Sequence, residues 1–184
     1  MAPDILLRLV PFTAAVAFAT VAWHPVWLGL GAGNLTWQLG FGVAGAPVLF
    51  VSATLVQRSL AVRRGALSVP AGGDDAWFQA GFYAVNGPIE EAFFRGLVQG
   101  GLGALVNPAL GFAVGTAAYV FYHRLGRWSW TDTLATALVG VPLGLAFWLL
   151  PGPPSLLGVS IAHIGATCGF LGPGPYLLKK LHLV

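Results

Sequence analysis

Apolar residues in this chain fall into long runs rather than strand-like alternation, and short polar or glycine-proline stretches separate them. A helix needs about 20 mainly apolar residues, at ~1.5 Å each, to cross the hydrocarbon core of a bilayer. On that scale the pattern predicts spans at Ile5–Trp23, Trp37–Gln57, Trp77–Leu105, Pro108–His123, Thr131–Leu150 and Ser155–Leu171. The expected fold class is an all-α polytopic transmembrane helix bundle of six spans, folded as a single domain over residues 1–184. The first run resembles the apolar part of a signal peptide, with Arg8 near its start and Ala17 and Ala19 near its end. It is longer than the ~7–15 residues of such a region and reads as a span.

The third run is broken by Asn86-Gly87-Pro88. Proline suits the first turn of a helix and disrupts the interior, so a new helix is expected from Pro88, capped by Asn86 or Gly87. Asp74 to Val85 then forms a separate helical piece in the membrane interface, anchored by Trp77, Phe78, Phe82 and Tyr83.

Composition turns this pattern into a statement about solvent. The chain is 57% hydrophobic and 8% charged, against roughly a quarter charged in soluble domains. Its 26 glycines and 13 prolines suit close-packed, locally broken membrane helices. The net charge of +3 is not gathered on one face, which argues against a nucleic-acid partner and leaves membrane lipid as the surrounding medium. Arg8, Arg58, Arg63, Arg64, Arg124, Arg127, Lys179 and Lys180 all fall on one side of the predicted spans. The 24–36 connection, the turn around Asn107 and the Pro151–Pro154 turn carry no Lys or Arg. Under the positive-inside rule this multi-pass chain has both termini in the cytoplasm. Cys168 is the only cysteine, which excludes an intrachain disulfide, and its apolar surroundings make it a small packing residue.

Ionisable side chains inside spans are costly and mark functional sites by default. They are few here: Glu90, Glu91 and Arg95 in the third run, His123 at the end of the fourth, and His163 within the sixth. Successive helical residues point ~100° apart, so Glu90 and Glu91 must act differently. Glu91 and Arg95 have the favourable four-residue spacing of an ion pair. That assigns them as a structural pair and leaves Glu90 without a local partner, suited to proton transfer. The alternative is that both carboxylates merely cap the helix from Pro88. Glu90 and His123 each lie ~15–17 residues from the Asn107 turn, or about 25 Å along antiparallel helices, and so end at one depth. Tyr119 and Thr167 lie one turn from His123 and His163 and share their faces. An interface position beside Arg124 for His123, and a helix-packing role for His163, are the structural alternatives.

Taken in order, these residues resemble the CAAX-protease and bacteriocin-processing family (CPBP, also written ABI) of intramembrane endopeptidases. The family pattern E-E-x-x-x-R, F-x-x-x-H and H-x-x-x-N appears here as Glu90-Glu91 with Arg95, Tyr119 with His123, and His163 with Thr167, over a core of about residues 86–168. Tyrosine stands for phenylalanine and threonine for asparagine. The resemblance implies hydrolysis of a peptide bond in a prenylated or membrane-embedded substrate. Glu90 and His123 would activate the water, His163 and Thr167 would stabilise the oxyanion, Glu91 would complete the catalytic group, Arg95 would be its structural partner, and Tyr119 would bind substrate. The family has been described both as metalloproteases and as glutamate proteases. The metal-free reading is favoured, because Glu91 tied to Arg95 leaves zinc only Glu90, His123 and His163, beside a positive charge. A non-catalytic membrane scaffold or immunity protein of the same family is the competing reading.

Overall fold

The structure, a computed structural model, describes residues 5–183, all of whose regular elements are helical. Helix α1 (Ile5–Trp23) begins with a π turn over Ile5–Leu9. It is followed by α2 (Leu35–Arg64) and α3 (Gly73–Glu91), the latter continued by a π-helical stretch, Ala92–Gly100, and by short α4 (Gly101–Leu105). Then come α5 (Pro108–Tyr122), α6 (Trp130–Leu149), α7 (Leu157–Phe170) and α8 (Pro173–Lys180). Helices α1, α2 and α6 are long and apolar enough to cross a membrane, and α7 is apolar but shorter. This is a helical bundle of a membrane protein. Of the two chain ends assigned to the cytoplasm, Met1 to Asp4 and Val184 lie outside the described residues.

Helix starts follow local chemistry. Asn34 and Asn107 accept hydrogen bonds from the backbone N–H of Trp37 and Leu110, at 3.4 and 2.8 Å, and Pro108 fills the first-turn position where its missing N–H costs nothing. Ser129 caps α6 by accepting from the Asp132 N–H at 3.1 Å. Helix α2 ends at Gly65, whose φ of 68° is the left-handed conformation glycine adopts without strain. It therefore runs past the expected Gln57 and takes Arg58, Arg63 and Arg64 into its last turns.

The expected new start at Pro88 is not seen. Helix α3 passes through Asn86, Gly87 and Pro88 without interruption, so Asp74 to Val85 is its opening rather than a separate piece. One proline removes a single backbone hydrogen bond, and packing on neighbouring helices holds the rest of the turn. The irregularity of this segment lies further on, in the π stretch from Ala92. Of the four aromatic anchors, Trp77 and Phe78 are exposed, whereas Tyr83 is buried.

Helices α2 and α7 form the closest pair, running side by side with glycines between them. A Cβ on Gly165 or Gly169 would collide with the backbone carbonyl oxygens of Ala46 and Phe50. Lipid supplies no hydrophobic force between helices, so such close van der Waals contact is what holds them. Cys168 is buried in the same helix. Leu143 and Phe147 of α6 pack on Val159 and Ala162 of α7 beside Phe41 and Leu49 of α2. A second cluster seats α1 on the π stretch, where Phe12 stacks on Phe93 at 4.1 Å and meets Phe94 edge-on at 5.4 Å. That contact brings Arg8, one turn before Phe12, beside Tyr122 and Glu90.

Gly165→Leu is expected to lower the thermal unfolding midpoint in detergent, because the clash is with backbone and no rotamer change relieves it; overpacking of this kind costs ~1–3 kcal/mol. An unchanged midpoint would show that α2 and α7 do not meet at this glycine.

Candidate active site

Consecutive glutamates near the end of α3 face different surroundings. Glu91 is fully buried and bonds in two directions. Its Oε2 accepts from Arg95 Nε at 3.3 Å, and its Oε1 lies 2.7 Å from His163 Nδ1 on α7. Arg95, also fully buried, donates to the Gly140 carbonyl at 3.0 Å and to Thr116 Oγ1 at 3.5 Å, with its guanidinium carbon 4.9 Å from the Tyr119 ring centroid. The anticipated Glu91–Arg95 pair is present, and Glu91 in addition holds a histidine.

Glu90 is 3% exposed and lines a cavity of about 660 Å³, within the size range of ligand sites. Contrary to the expectation from spacing, it has a local partner. Asn86, one turn earlier, donates from Nδ2 to Glu90 Oε1 at 2.9 Å, and Arg8 NH1 lies 3.9 Å from the same oxygen. The Tyr122 hydroxyl accepts from the same Arg8 NH1 at 3.4 Å. On the other side, Glu90 Oε2 is 3.7 Å from His163 Nε2.

His123, Tyr119, His163 and Thr167 line the same cavity as Glu90. His123 Nδ1 lies 2.8 Å from the Tyr119 carbonyl oxygen, which can only accept. In the neutral ring Nδ1 must therefore carry the proton, leaving Nε2 as the basic nitrogen. The Tyr119 hydroxyl lies 3.3 Å from His163 Nε2, so Tyr119 bridges the two histidines, one through its backbone and one through its side chain. Thr167, partly buried, stands one turn beyond His163 on the cavity wall. Apolar walls come from Leu49 and Val56 of α2 and Leu138 and Val139 of α6. At the arginine-bearing end, Arg64 of α2 forms an ion pair with Asp132 of α6, and Arg127 also lines the cavity.

Among the described residues no group of three or more His, Cys, Asp or Glu is disposed to hold a cation. His163 gives Nδ1 to Glu91 and faces the Tyr119 hydroxyl with Nε2. Three contributors were not singled out in the sequence: Asn86, Tyr122 and Arg8. Asn86 was readable as a partner four residues before Glu90. Tyr122 and Arg8 meet Glu90 only through the packing of α1 on the π stretch and α5, for which the sequence carries no local signal.

Arg95→Lys is expected to destabilise the fold although charge is kept. A lysine ammonium cannot reach Glu91, Thr116 and Gly140 together, and breaking a buried pair costs ~3–5 kcal/mol. The thermal midpoint in detergent measures this, and a wild-type value for the lysine variant would show that the fork of bonds is dispensable.

No curated protein and no solved structure matches the chain. A family model, type II CAAX prenyl endopeptidase Rce1-like, matches residues 72–168. That segment opens at the start of α3, ends within α7 and takes in Glu90, Glu91, Arg95, Tyr119, His123, His163 and Thr167, while α1 and α2 fall outside it. Covering more than half of the chain and every residue of the three motifs, the match identifies the protein as a member of the Rce1-like family of type II CAAX prenyl endopeptidases.

Proposed function

We propose that this protein is an intramembrane endopeptidase that hydrolyses a peptide bond of a prenylated or membrane-embedded substrate by means of water activated by Glu90 and His123. The observation that carries the reading is that Glu90, His123 and His163, from three separate helices, line one cavity while Glu91 and Arg95 are sealed behind them. Residues retained only for packing, as in a scaffold, have no need to converge on an open volume with an apolar wall.

Glu90, oriented by Asn86, takes a proton from water as the water oxygen attacks the carbonyl carbon, and His123 Nε2 accepts a hydrogen bond from the same water. The tetrahedral intermediate carries negative charge on the former carbonyl oxygen. His163, held through Nδ1 by Glu91, presents Nε2 to that oxygen in its protonated form, with the Thr167 hydroxyl and Tyr119 hydroxyl as further donors. Collapse of the intermediate breaks the C–N bond, and the proton taken by Glu90 passes to the departing amine. Thr167 donates from a shorter side chain than the usual asparagine, so Tyr119, with a hydroxyl where the family pattern has phenylalanine, restores a donor on the opposite side. Nothing in this sequence of steps requires a metal. The apolar walls suit a lipid-modified or transmembrane segment, and the cavity end bearing Arg64 and Arg127 is the one we assign to the cytoplasm.

With a fluorogenic prenylated peptide and purified protein in liposomes, Glu90→Gln and His123→Ala are each expected to lower kcat by ~10²–10⁴, the usual contribution of general acid-base groups, with the thermal midpoint retained. Cleavage at the wild-type rate by either variant would reject the mechanism. Extended dialysis against a zinc chelator is expected to leave wild-type activity intact; loss of activity restored by zinc would move Glu90, His123 and His163 into the role of ligands.

A further inference from the structure

Arg8 is drawn inward against its own place on the helix. It stands in the opening turn of α1, and a long cationic side chain so near the end of a span ordinarily extends to interfacial water. Arg8 turns into the bundle instead, and its side chain keeps only 20% of its exposure. Its NH1 lies 3.9 Å from Glu90 Oε1 and donates to the Tyr122 hydroxyl at 3.4 Å, with the guanidinium carbon 5.7 Å from the Tyr122 ring centroid. A guanidinium gives up this much water only where a negative charge compensates it.

Each of the two neighbouring carboxylates thus has its own guanidinium. Arg95 lies 3.3 Å from Glu91, sealed away from solvent, and Arg8 lies 3.9 Å from Glu90 on the cavity wall. The other groups around Glu90 bring no fixed cation. Asn86 of α3 is a neutral donor at 2.9 Å, Tyr122 of α5 is uncharged, His163 of α7 stands 3.7 Å away, and His123 lines the same cavity. Both imidazoles gain and lose charge with a proton, whereas a guanidinium keeps its charge.

The two pairs differ in what they permit. Arg95 is fixed by a fork of bonds to Glu91, Thr116 and the Gly140 carbonyl. Arg8 approaches Glu90 with one nitrogen at a separation beyond a hydrogen bond, so it offsets charge without taking up the lone pairs that must receive a proton from water. Arg8 also lies outside residues 72–168, the segment matched by the family.

We propose that Arg8 is a positioning residue for the reacting carboxylate: its fixed positive charge offsets that of Glu90 and holds the carboxylate at the cavity wall. The proposal rests on the endopeptidase reading and adds α1 to the elements that carry the reaction.

Methionine and lysine have unbranched stems like that of arginine, so Arg8→Met removes the charge and Arg8→Lys keeps it with little change to how α1 packs. In the liposome cleavage assay Arg8→Met is expected to lower kcat about ten- to a hundredfold with KM within about twofold, the scale of a misplaced reacting group. Arg8→Lys is expected to stay within about threefold of wild type, because a single charge contact, unlike the fork at Arg95, needs no guanidinium. A purely structural role in docking α1 would impair both variants alike.

The coupling is also readable without cleavage, from thermal midpoints in detergent. Arg8→Met is expected to lower the midpoint by ~2–4 °C more in the wild-type background than beside Glu90→Gln, where no carboxylate charge remains to be offset. An Arg8→Met protein that folds only when Glu90→Gln is added shows the same coupling in its strongest form. Equal shifts in the two backgrounds, a wild-type kcat in Arg8→Met, or an Arg8→Lys protein as impaired as Arg8→Met each overturn the assignment and leave the endopeptidase reading in place. A wild-type protein that cleaves no prenylated or membrane-embedded peptide overturns that reading and the role of Arg8 with it.

Discussion

A guanidinium sealed inside a membrane protein is tolerable only when every neighbouring group is in place, and Arg95 imposes that condition on the rest of this fold. It meets Glu91 in its own helical segment, Thr116 and the face of Tyr119 on α5, and the Gly140 carbonyl on α6. Glu91 carries the network on to His163 of α7. Removing an ion from water costs several kcal/mol, and only a complete set of partners offsets it. The network therefore acts as a registration device: a slip of one helix by a turn would strand a charge.

Division of labour between the glutamates follows from the same constraint. Glu91 points into the seam where Arg95 and His163 are waiting, and the ~100° turn to its neighbour aims Glu90 at the cavity. The buried pair holds the backbone, and the backbone holds Glu90 beside Asn86, Tyr122 and His163. The π stretch that begins directly after Glu91 contains Arg95 and presents Phe93 and Phe94 to α1. Such stretches are uncommon and recur at functional sites. Here it is the surface on which α1 docks, and through α1 the site acquires Arg8.

Helices α1 and α2 lie outside the segment shared with the family, yet they supply part of the cavity wall. Helix α2 meets α7 through glycines that let backbones touch, which brings its Leu49–Gln57 face into the cavity wall. The family segment thus brings Glu90, His123 and His163 to the cavity, and the preceding helices complete its wall.

Much of this protein was legible from local pattern. Run length and scarcity of charge determined a helical membrane fold, the four-residue spacing determined the Glu91–Arg95 pair, and the order of three short motifs determined the family, because each depends on residues within a turn or two of one another. Asn86 was legible in principle, at four residues from Glu90. Tertiary structure alone decided that α3 continues through Pro88, since the loss of one backbone bond is outweighed by packing that only neighbouring helices supply. It alone decided that Arg8 lies beside Glu90 rather than in the flanking region, because the stacking of Phe12 on Phe93 joins segments ~80 residues apart and no periodicity encodes such a meeting.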